Sequence, residues 1–66
     1  MVLKINGEKV NLDDDTTLEK YLLDNDYRLE VVAVELNGAI IAPEKYNSII
    51  LNNDDVLEVV SFVGGG

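Results

Sequence analysis

The chain has 66 residues, enough for one small domain, and a domain of that size buries only about 60% of the surface its unfolded chain exposes. It has neither cysteine nor histidine, which excludes a disulfide, a thiolate metal site, a thiol nucleophile and the usual general base near neutral pH. With 13 acids against 5 bases, its formal charge is −8; such a surface repels nucleic acid and anionic membranes, and either serves solubility or meets a partner with a basic docking face.

Met1 is followed by alternating residues, not by a basic stretch and a long apolar core, so no signal peptide is expected. No apolar run approaches the ~20 residues of a membrane span. A small reduced fold of this kind is expected in the cytoplasm.

In chain order, "VLKI" alternates, with Leu3 and Ile5 on one face and Val2 and Lys4 on the other. Asn6-Gly7 is a strong hairpin signal, because both central positions of a type I′ turn need positive φ. "EKVNL" returns as a second strand with Val10 and Leu12 on its apolar face. "DDDTTLEKYLLDN" reads as a helix that fades near Asn25. Thr16 is its expected N-cap, with Glu19 completing a capping box, and Asp13, Asp14 and Asp15 sit beside the positive end of the helix dipole. Leu18, Tyr21 and Leu22 form an apolar stripe that Leu23 widens.

"EVVAVEL" is a third strand with Val32, Val34 and Leu36 on one face. Asn37-Gly38 turns into a short strand that Pro43 ends. "PEKYN" suits a turn of helix, "SIIL" a further short strand, and "NNDD" a turn. "VLEVVSFV" is the last strand, with Leu57 and Val59 on one face and Val56, Glu58, Val60 and Phe62 on the other. Leu3, Ile5, Leu22, Val32, Leu57 and Val59 are the expected core. The order β-β-α-β-β-β describes an α+β roll in which one helix packs on one mixed sheet of about five strands. If the last strand lies beside the first, those two are central and parallel. Val60 and Phe62 are more apolar than a solvated face requires. They are either core residues near the sheet edge or a partner-binding patch.

Nothing in the chain reads as catalytic. Counted from Asp13, the acidic run places Thr17 and Leu18 where a calcium loop needs a ligand and a glycine. Gly7 and Gly38 sit singly in hairpin turns, so there is no phosphate loop. Ser48 and Ser61 have no histidine to activate them. Neither serine follows an aspartate as in phosphopantetheine carriers, and no lysine sits in a tight hairpin as in biotinyl or lipoyl carriers.

The remaining candidate is the chain end, "SFVGGG". A carboxylate becomes reactive once another enzyme adenylates it with ATP, and glycine, lacking Cβ, threads a narrow channel in almost any conformation. Four residues past Phe62 reach up to about 13 Å. A run of glycines is equally the composition of a loose terminus or a linker. The division expected is a domain over 1–63 and a flexible Gly64-Gly65-Gly66 tail.

From "LKINGEKV" through "TLEKYL" and "VAVELNGAIIAPEKY" to "DVLEVVSFVGGG", the whole chain resembles the ThiS-type sulfur carrier proteins of thiamin biosynthesis. These are ubiquitin-like β-grasp proteins of the ThiS/MoaD superfamily. One departure is Asp54, where that family commonly has glycine before aspartate. Asn and Asp tolerate the left-handed region, so the turn is expected to survive.

The resemblance implies that Gly66 is adenylated by an E1-like, ThiF-type enzyme that uses ATP, with no cofactor bound to the carrier itself. It further implies that a sulfur donor protein converts Gly66 to a thiocarboxylate, and that thiazole synthase of the ThiG type receives the sulfur. Gly65 and Gly66 match the family's terminal pair, and Gly64 extends it. Two alternatives share the fold and the tail: the small subunit of molybdopterin synthase and a ubiquitin-like protein modifier. The former often has prolines before its terminal glycines, where this chain has "SFV". A third alternative is a binding module with an inert tail.

Overall fold

The computed structural model describes residues 1–62. The expected tail Gly64–Gly66 and the expected domain boundary at residue 63 lie outside the described residues.

Two strands, β1 (Val2–Ile5) and β2 (Glu8–Asn11), form the first hairpin. Helix α1 follows (Leu18–Asp24), then β3 (Val32–Leu36), β4 (Ala39–Ile40) and β5 (Val56–Ser61). The sheet order is β2-β1-β5-β3-β4. The last strand therefore sits in the middle, parallel to β1 and antiparallel to β3, as expected if first and last strands meet. With α1 gripped against one face, this is the β-grasp arrangement that the resemblance implies.

Strand alternation decides which side is covered. Leu3, Ile5, Val32, Val34, Leu57 and Val59 point to the helix side and are buried with Leu18, Tyr21, Leu22, Tyr46 and Leu51. All six expected core residues are among them. Leu23 is exposed, so it does not widen the apolar stripe. The buried arc of a helix of about two turns is already filled by Leu18, Tyr21 and Leu22.

Both hairpins turn on asparagine and glycine at positive φ: Asn6 +50° and Gly7 +85°, Asn37 +52° and Gly38 +85°. Asp54 has φ +67°, so the turn before β5 holds without the glycine common at that place.

The start of α1 departs from expectation. Thr17, not Thr16, is the N-cap; its Oγ1 accepts from the Lys20 N–H at 3.1 Å. Thr16 is buried and donates instead to the Asp13 carbonyl at 2.6 Å. A capping box with Glu19 is therefore absent. The "SIIL" segment is not a strand either. The Leu18 N–H donates to the Ile49 carbonyl, the Glu19 N–H to the Tyr46 carbonyl, and the Leu51 N–H to the Thr16 carbonyl. The segment pairs with the entry to the helix, through the single bridge Thr17–Ile50. It satisfies helix donors that have no partner within the helix.

Candidate functional site

The site begins with β5 and the means by which it is held. On one side the ladder to β3 runs from Val32–Ser61 to Leu36–Leu57, and the Phe62 N–H donates to the Val31 carbonyl at 2.7 Å. On the other side β1 pairs only Lys4 with Val56 and Ile5 with Leu57 before it turns away into the first hairpin.

Asn6 extends that shorter side. Its Oδ1 accepts from the Val59 N–H at 2.9 Å, and its Nδ2 donates to the Val59 carbonyl at 3.3 Å. The side chain thus stands in for the next residue of a parallel strand. Asn37 does the same on the β3 side: its N–H donates to the Val56 carbonyl and its Oδ1 accepts from the Val56 N–H, both at 2.8 Å. Each hairpin asparagine supplies a left-handed turn residue and a clamp on β5. The sequence reading used the first role and missed the second. The signal available was that both Asn-Gly turns border the one strand that outruns its neighbours.

Of the expected patch residues, Val60 lies on the bare side of the sheet and Phe62 follows directly after the end of β5. They are 55% and 68% exposed, so they are not core residues at the sheet edge. Val60 lies opposite Ala33 and joins Ala33, Glu35, Ile40 and Glu58 around a shallow depression. Val56 and Ile40 are also exposed apolar residues of this side. Both are exposed, Val60 on β5 and Phe62 just past its last residue. The other expected site residues, Gly64, Gly65 and Gly66, lie outside the described residues.

Other chemistry is sparse. No group of three or more acids among the described residues could hold a metal ion. No described helix is long and apolar enough to cross a membrane. Burial pushes the Tyr21 and Tyr46 phenols above their ordinary value, and Tyr27 adds to the effect on Tyr21. Both belong to the core rather than to the bare side.

The ThiS family model matches residues 3–66. The chain belongs to the ThiS family. The Bacillus subtilis sulfur carrier protein ThiS is 39% identical over 66 residues, covering 98% of this chain and all of that protein. The crystal structure of the Geobacter metallireducens thiamine biosynthesis protein ThiS superposes with a TM-score of 0.82 at 29% identity, covering both chains fully. A thiazole synthase of Magnetococcus marinus is 42% identical over 66 residues, and there the chain spans 20% of that protein's length. A segment similar to this chain is thus part of that larger synthase.

Proposed function

We propose that this chain is a sulfur carrier of thiamin biosynthesis that carries sulfur on its C-terminal Gly66. In this reading an E1-like enzyme uses ATP to adenylate the Gly66 carboxylate. The leaving group is then displaced by sulfur from a donor protein, which gives a thiocarboxylate. Thiazole synthase takes up that sulfur. The carrier contributes no catalytic side chain; it delivers its own chain end, with Gly64 and Gly65 passing through the partner's channel. Val60 on the bare face and Phe62 just past β5 dock the partner, and the work is done in the cytoplasm.

The observation that carries the reading is the placement of β5. Clamped on both sides by Asn6 and Asn37, it brings the chain to an exposed Phe62, four residues before Gly66. The family match supports the reading because it runs through to Gly66.

The test is conversion by the adenylating enzyme with ATP and a sulfur source, read by mass spectrometry. The parent should gain the mass of one oxygen exchanged for sulfur. The variant lacking Gly66 should not, while melting at the same temperature. Equal conversion of the two would remove Gly66 from the mechanism. An isopeptide product in place of the thiocarboxylate would mark a protein modifier.

A further inference from the structure

Asn6 and Asn37 each do two things at once. Each is the first residue of an Asn-Gly pair, and the other asparagines of the chain all precede residues with side chains, such as Asp26 after Asn25 and Ser48 after Asn47. Each also uses its side-chain amide to hold β5. Asn6 Oδ1 accepts from the Val59 N–H at 2.9 Å, and Asn6 Nδ2 donates to the Val59 carbonyl at 3.3 Å. Asn37 Oδ1 accepts from the Val56 N–H at 2.8 Å, and Asn37 Nδ2 donates to the Asp55 carboxylate at 3.0 Å. The amides that clamp β5 are therefore the ones in this chain most open to covalent change.

The chemistry is intramolecular. The backbone nitrogen after an asparagine attacks Cγ, and the new C–N bond closes a succinimide ring. The Cγ–Nδ2 bond breaks, and ammonia leaves with the proton of the attacking amide. Water then opens the ring at either carbonyl, which gives aspartate or isoaspartate. Glycine in the second place favours the attack, because it has no Cβ to hinder it and its backbone turns freely. The space beside both glycines is open: a Cβ built on Gly7 or Gly38 meets nothing within 4 Å.

The folded chain holds both amides away from this reaction. Each side chain reaches across to β5 or to the residue just before it, and both its oxygen and its nitrogen are bonded there. The attack needs the side chain to let go first, which is a local opening of the strand.

We propose that Asn6 and Asn37 are deamidation sites gated by the opening of β5. Conversion is not reversed when the strand closes again. The aspartate product keeps the turn, since aspartate already holds positive φ in this domain at Asp15, Asp26 and Asp54. It has no Nδ2 donor, however. At the first site a carboxylate oxygen then faces the Val59 carbonyl, and at the second it faces the Asp55 carboxylate, where a hydrogen bond stood before. The isoaspartate product routes the backbone through the side-chain methylene and lengthens a turn that fits only two residues. Either way β5 is held less firmly, so conversion at one site favours conversion at the other. The strand affected is the one that leads to the chain end. The modification therefore ages the mount of the proposed arm and leaves Gly66 chemically intact.

The test uses the full chain alone at mildly alkaline pH, read by peptide mapping and mass spectrometry, so its failure leaves the carrier reading standing. In guanidinium, Asn6 and Asn37 should convert before every other asparagine. In the folded chain both should convert at least about tenfold more slowly, the factor for a local opening that breaks one or two hydrogen bonds. Asp55→Ala removes the acceptor of Asn37 Nδ2 and should speed conversion of Asn37 about threefold, with Asn6 unchanged. Asn6→Asp places the product at the first site and should speed Asn37 by a similar factor through β5, with Asn47 at its parent rate. If the folded chain converts Asn6 and Asn37 as fast as the denatured one, the clamps gate nothing. If folding protects both but neither variant alters the rate at Asn37, the turns protect by themselves and gating by β5 is wrong. Equal acceleration at Asn47 in Asn6→Asp would mean general unfolding and would overturn the coupling between the two sites.

Discussion

The two faces of β5 are made of similar residues and do different work. Leu57 and Val59 are buried against α1, whereas Val56 and Val60 on the same strand stand open to water. Hydrophobicity alone does not separate them. Alternation does, because successive side chains leave a strand on opposite faces and one helix covers one face. An apolar residue on the covered face stabilises the fold, and one on the bare face is available to a partner.

The sharpest way to break this comparison is on the buried face. Leu57→Ala should cost roughly 2–5 kcal/mol in denaturant unfolding, a large share of the stability of so small a domain. A variant as stable as the parent would show that the two faces are wrongly assigned.

The next effect belongs to the strand's edge. Asn6→Gly keeps the positive φ and removes both side-chain bonds to Val59. It should cost about 1–2 kcal/mol, and the Val59 amide should exchange its proton faster while the Leu57 amide changes less. Uniform acceleration across β5 would mean that Asn6 acts only through the turn.

A smaller effect comes with alkali. Burial holds the Tyr21 and Tyr46 phenols above their ordinary value of 10.0. As pH rises through about 10, the unfolded chain releases these protons first, so stability is full below that pH and falls above it. Tyr46→Phe should flatten the fall in a series of melting curves, and an unchanged slope would assign the loss to other groups. The smallest effect returns to the bare face. Val60→Ser should change stability by no more than about 0.5 kcal/mol, while weakening capture by the adenylating enzyme in a binding assay. A clear loss of stability would show that Val60 serves the core.

How much of this could be read from the chain follows from what each signal depends on. The hairpins, the helix and the core face of every strand are encoded by local turn chemistry and period, so Asn6-Gly7, Leu18-Tyr21-Leu22 and Leu57-Val59 were legible. The "SIIL" segment was not. Its β-like composition meets the first turn of a helix instead of a strand, and only the tertiary arrangement decides that. Thr16 is the cap that the capping-box pattern suggests, but the Asp13 carbonyl claims its hydroxyl and Thr17 caps the helix instead. The clamps at Asn6 and Asn37 were hidden for the same reason: their partners lie 53 and 19 positions away. The patch at Val60 and Phe62 was legible as an excess of apolar residues, but its exposure required the sheet order.

The central position of β5 also has a mechanical consequence. Force applied at Phe62 along the strand loads the bonds to β1 and β3 in shear. The contacts at Val31, Asn6 and Asn37 then share the load and must give way together. A strand at the rim of the sheet, pulled across its axis, would instead peel one bond at a time. In the proposed function, a pull by the partner enzyme on the chain end would thus be borne by the middle strand without unravelling the domain behind it.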